Sequence, residues 1–108
     1  MAHFSGGLRW GGSFLRSSNV SFPLAKLEID DSGLSFDAPT VSLHLDFADL
    51  TDISLKRRIF YKGIRFHHGR EDLPKQIIFW TFSADSILEA IAPWTSIGSD
   101  LHGSKTLP

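Results

Sequence analysis

The chain has 108 residues, 42% of them hydrophobic and 21% charged, with a net charge of -1 and no cysteine. That length suits one domain burying somewhat over 60% of the surface its unfolded form exposes, roughly speaking, and that composition is of an ordinary globular chain rather than a disordered one. The missing cysteines exclude disulfides, thiolate nucleophiles and cysteine metal sites, and the near-neutral charge excludes a global pull toward nucleic acid.

Residues 1–19 read as a Gly-rich arm or a first strand. Gly6, Gly7, Gly11 and Gly12 make the backbone easy to bend, while Phe4, Leu8, Trp10 and Phe14 argue against a free tail. Aromatics in such a segment dock on something, and the protein's own surface is the simpler choice, with Trp10 and Phe14 as the arm's contacts. Neither a basic-then-apolar leader nor a run of about 18 apolar residues is visible, so a cytoplasmic protein without a transmembrane segment is expected.

Residues 20–82 carry the antiparallel strands. Ala25, Leu27 and Ile29 alternate with Lys26, Glu28 and Asp30, and after the turn residues Asp31-Ser32-Gly33 the alternation returns in Leu34-Ser35-Phe36. This predicts a hairpin over Leu24 to Ala38, which Pro39 ends. Val41, Leu43, Leu45 and Phe47 share one face of a third strand, Ile53 and Leu55 begin a fourth, and Ile64 and Phe66 point inward from a fifth. The polar link Gly69 to Lys75 is too short for a crossover helix, so neighbours are antiparallel. Ile77 to Phe82 does not alternate and predicts a strand covered on both faces.

The cover comes next in the chain. Residues 83–94 form an amphipathic helix with Ala84, Ile87, Leu88 and Ile91 on one stripe and Pro93 at its end. Residues 99–108 are polar and read as a frayed tail.

Charge is segregated along the chain. Residues 28 to 52 hold seven acids and no Lys or Arg, whereas residues 53 to 70 hold six bases, Lys56, Arg57, Arg58, Lys62, Arg65 and Arg70, and no acid. Two readings stand: a basic surface that receives an anionic partner, or charges that pair across the sheet and contribute little. Phe60, Tyr61 and Phe66 among those bases could stack nucleic-acid bases, but a pI near 6.5 and the lack of any module signature point away from that. His67 and His68 face opposite sides of a strand, one exposed and one half-buried, and cannot share a metal ion without a bulge. No Gly-x-Ser-x-Gly elbow or convergent catalytic spacing is present, and no cofactor motif.

Strands in sequence order followed by one C-terminal helix describe a mainly β (α+β) chain, a barrel with a helical plug. The runs Phe22-Pro23-Leu24-Ala25-Lys26-Leu27-Glu28-Ile29, Gly33-Leu34-Ser35-Phe36, Asp49-Leu50-Thr51-Asp52-Ile53, Gly63-Ile64-Arg65-Phe66 and Ile77-Ile78-Phe79-Trp80 resemble small bacterial proteins of the PH-like and GRAM-like type. The resemblance spans roughly residues 20 to 94 and implies a non-enzymatic binding scaffold, engaging a protein partner, its own copy, or an anionic lipid headgroup. The turn Asp30-Asp31-Ser32-Gly33 is acidic where phosphoinositide-binding relatives carry bases, which points away from that ligand.

Overall fold

The computed structural model describes residues 2–13, 16–57 and 59–97. Seven strands, β1 (Ala2–Ser13), β2 (Arg16–Asp30), β3 (Gly33–Ala38), β4 (Val41–Leu45), β5 (Leu50–Arg57), β6 (Lys62–His68) and β7 (Gln76–Thr81), precede one helix, α1 (Ala84–Ile91). Every ladder is antiparallel, and the strands form one sheet in the order β4-β3-β2-β1-β7-β6-β5. Two meanders therefore join through the first and last strands, leaving β4 and β5 as edges. The chain is mainly β, a curled half-barrel with one short helix.

The curl is visible in ring contacts. Phe36 of β3 and Phe66 of β6 are separated in the sheet by β2, β1 and β7, yet their centroids lie 5.3 Å apart, and Phe79 of β7 lies 6.4 Å from Phe36. Alternation put Leu27, Ile29, Leu34, Phe36, Ile64 and Phe66 on the inner face, and all of them are buried in one cluster. Ala84, Ile87, Leu88 and Ile91 of α1 join that cluster, so the helix fills the inner face, as a helix too short to stand alone must.

Three expectations change, and one open choice is decided. Of the arm and the first strand, the N-terminal segment is the strand, and it lies at the centre of the sheet between β2 and β7. Its glycines explain why no alternation announced it: a β-carbon on Gly6 would stand 2.7 Å from the Phe79 ring. Strand β4 ends at Leu45 and a 3-10 turn over Phe47–Asp49 follows, while β5 starts at Leu50, ahead of Ile53. The helix does not cover the second face of β7. Ile78, 1% exposed, lies on the outer face in register between Arg9 of β1 and Arg65 of β6, whose aliphatic stems are placed to shield it, and Phe82 just past the strand is exposed.

The β1–β2 ladder shifts register twice, between Gly6 and Leu8 and between Gly11 and Ser13, and the first shift is the wider. Gly6 pairs with Ala25 and Leu8 with Val20, so residues 21–24 leave the ladder while β1 advances past Gly7 alone. That excursion lifts Phe22 and Leu24 into solvent, at 51% and 58% exposure.

Candidate docking surface

Four aromatic rings meet on the outside of the sheet. Phe22 comes from the β2 excursion, Tyr61 precedes β6, Trp80 lies on β7 and Phe82 follows it. Phe22 meets Phe82 at 5.2 Å, Tyr61 meets Phe82 at 6.2 Å and Tyr61 meets Trp80 at 5.4 Å, all edge to face, the arrangement ring quadrupoles favour. With Gly7, Arg9 and Val20 they line an open groove of about 620 Å³.

Beside the groove the turn between β5 and β6 projects Ile59 and Phe60, which are 90% and 82% exposed. They border a second depression of about 400 Å³ together with Lys62, Phe82 and the start of α1, so the apolar surface continues from Phe22 to Phe60. Scattered exposed apolar residues need no explanation, but a contiguous aromatic patch does. At the base of this turn Arg57 and Lys62 stand directly opposite each other in the ladder.

The predicted basic segment is split by the fold. Lys56, Arg57 and Lys62 gather at the turn, whereas Arg65 and Arg70 line a separate groove of about 590 Å³ with Thr51, His67 and Lys75 at the other end of β6. Arg58 and Phe14 lie outside the described residues, as does the predicted tail at 99–108. Trp10 sits half-buried against the core, opposite Ile77.

Arg70 joins the two charge blocks by a bond to Asp49. Arg70 holds Asp72 at 2.6 and 2.8 Å and reaches Asp49 at 3.2 Å, bonds that raise its pKa further and draw Asp72 below the usual carboxylate range. Strand order keeps much of the two blocks apart, since β1 and β7 stand between β2 and β6. Among the described residues no hydrogen bond or ion pair takes up Lys56, Lys62 or Lys75.

Both neighbouring histidines are half-buried, rather than one exposed and one not. His68 Nε2 lies 2.7 Å from the Pro74 carbonyl oxygen and must donate to it, which leaves Nδ1 to accept the Arg70 N–H at 3.0 Å. That fixes the neutral tautomer and ties the 69–75 loop to the strand. His67 lies 2.8 Å from the Ser54 hydroxyl through Nε2, and burial, aided by the charge of Arg65, pulls its pKa down.

Sequence reasoning singled out the bases but missed Phe22, Leu24, Ile59, Trp80 and Phe82. The available signal was Ile59-Phe60-Tyr61 bracketed by Arg57-Arg58 and Lys62. No protein-family model, curated protein or solved structure matches this chain.

Proposed function

We propose that the chain is a non-enzymatic binding module on a PH-like scaffold that seats itself on an anionic membrane surface. In this reading Ile59 and Phe60 enter the interface, Arg57 and Lys62 lie at headgroup level, and Tyr61 and Phe82 form the belt between them. The observation that carries it is the turn itself: two large apolar side chains, 90% and 82% exposed, between cations. A protruding apolar tip is costly in water and suited to a lipid interface, where amphipathic rings and snorkelling cations are both accommodated. Fully burying side chains of this size supplies about 1.5–3 kcal/mol each, and each cation near an anionic leaflet adds about 1 kcal/mol. Binding of this kind is reversible and salt-sensitive. The scaffold assignment is supported by two antiparallel meanders and a C-terminal helix packed on the inner face.

A protein partner or a second copy is the competing occupant, favoured by the ring-lined groove beside the tip. Vesicle sedimentation separates them. Binding to vesicles containing acidic lipid, absent with neutral vesicles and lost on Ile59→Ser with Phe60→Ser, is the expected result. No sedimentation with acidic vesicles, accompanied by concentration-dependent assembly in light scattering that the same double variant abolishes, would transfer the surface to self-association.

A further inference from the structure

We infer that the groove at the far end of β6 is a binding site for a phosphate group, carried on a small soluble molecule, with Arg65 as its main ligand and Lys75 and Thr51 completing it. This site is separate from the membrane-facing tip, because it uses none of the residues at the β5–β6 turn.

The starting point is an unmet bond. The Nε of Arg65 is buried and has no acceptor, so the half-buried side chain must turn toward the groove for this donor to meet a phosphate oxygen. Leaving a buried donor unpaired is costly, more so for a charged group, and native structures rarely keep one without a bound partner to explain it. Ladder neighbours supply none: Arg65 lies between Ser54 of β5 and Ile78 of β7, and the Ser54 hydroxyl is engaged with His67. Nor does any carboxylate among the described residues form an ion pair with Arg65.

The surroundings select the ligand. Of the three cations lining the groove, Arg70 is occupied by Asp72 and Asp49, so Arg65 and Lys75 carry its available charge. Thr51 lies at the register shift between Leu50 and Asp52 and lines the groove with its exposed side chain free of any bond among the described residues. Donors thus line the groove from β5, from β6 and from the loop before β7, and three donors on separate segments suit the several oxygens of a phosphate. Glu71 is the one carboxylate at the rim and, being exposed, can swing away. The wall is held firm, because His68 bonds Pro74 and Arg70 at once. A groove of about 590 Å³ exceeds a bare phosphate and leaves room for the rest of a monoester.

Position favours a soluble carrier over a lipid headgroup. Lys62 starts β6 at the aromatic tip and His68 ends it at the groove. Six residue steps of extended strand separate them by roughly 20 Å, so with the β5–β6 turn seated on a membrane, the reading proposed above on which this step rests, and β6 leading away from it, the loop side of the groove stands clear of the headgroups.

The test is a nitrogen-15 NMR titration of the full chain with inorganic phosphate, with chloride at matched ionic strength as control. The expected result is a saturable shift of the Arg65 Nε–Hε signal and of the Thr51 and Lys75 amides, absent with chloride. Affinity should fall roughly tenfold or more in Lys75→Gln, a change on an exposed side chain that leaves folding intact, and be lost in Arg65→Gln. Movement of all lysine and arginine signals together without saturation would overturn the site, as would unchanged affinity in Lys75→Gln. Acidic-vesicle binding should survive Arg65→Gln. Its loss there, with no response to inorganic phosphate, would also overturn the soluble-ligand assignment.

Discussion

The indole of Trp80 lies over the α-carbon of Gly63, its ladder partner across β6 and β7: a β-carbon on Gly63 would stand 2.5 Å from Cζ3 of that ring. The glycine is therefore a seat for the indole, which in turn meets Tyr61 edge to face. Gly63→Ala should displace the ring and cost about 1–3 kcal/mol in urea unfolding, the usual range for overpacking a well-filled site. Combining it with Trp80→Leu should restore part of that loss, because the smaller side chain no longer needs the seat. Additive losses in the double variant would mean that the two residues do not share the space.

A surface built for docking should be dispensable for folding. Ile59 and Phe60 make up the most exposed apolar pair in the described chain, so Ile59→Ser with Phe60→Ser should leave the unfolding midpoint within experimental scatter or raise it. Ile87→Ala, at 0% exposure in the helix, should by contrast cost about 2–5 kcal/mol. Thermal unfolding of the two variants side by side checks both. A large loss in the turn variant would show that the tip supports the fold.

The hairpin of β2 and β3 was legible in the sequence for a physical reason. Leu27, Ile29, Leu34 and Phe36 alternate because one face of these strands is buried and the other is wet, and the turn between them needed Gly33, which takes φ 129 where a side chain would press on the Leu45 carbonyl. Half-buried hairpins announce themselves in this way. Strand β1 did not, because a central strand crossed closely by others is built from glycines at Gly6 and Gly7, and glycine carries no periodicity. The docking surface was legible only as charge. Exposure of Phe22, Ile59 and Phe82 follows from a ladder irregularity and from where two strands end, and neither is written as a pattern of apolar and polar residues. The split of the bases between two ends of β6 likewise depends on strand register rather than on spacing in the chain.

His67 makes stability depend on pH with a definite sign. Burial, then Arg65, lowers its pKa below the ordinary value of 6.5, while Asp52 opposes them and His68 adds a smaller lowering. The folded protein thus resists a proton that the unfolded chain accepts. Stability from this residue is fully present above about pH 6.5 and is lost as the pH falls from there through the folded pKa. Unfolding midpoints measured from pH 7.5 downward should fall more steeply in the parent than in His67→Gln. Parallel curves would remove His67 as the cause. Phosphate bound beside it adds negative charge and should raise the His67 pKa, so that less stability is lost at a given acid pH.

Arg70 is the remaining structural cation, and its task is to hold the loop that walls the second groove. It bonds Asp72 within the loop and Asp49 at the end of the 3-10 turn before β5, next to the backbone bond from Gly69 to the Asp49 carbonyl at 3.3 Å. Arg70→Gln removes the hydrogen bonds and charge that hold Asp72 below the usual carboxylate range, and the loop is then left with the His68 bonds and the packing of Leu73 against the core. Amide exchange over residues 69–75 should accelerate while exchange in β7 stays slow, because local opening draws on the least-supported segment first. The same variant should weaken phosphate binding without abolishing it, since Arg65 and Lys75 remain but the wall that positions Lys75 has loosened. Unchanged exchange in the loop, or phosphate binding as strong as in the parent, would show that the clamp is not what shapes the groove.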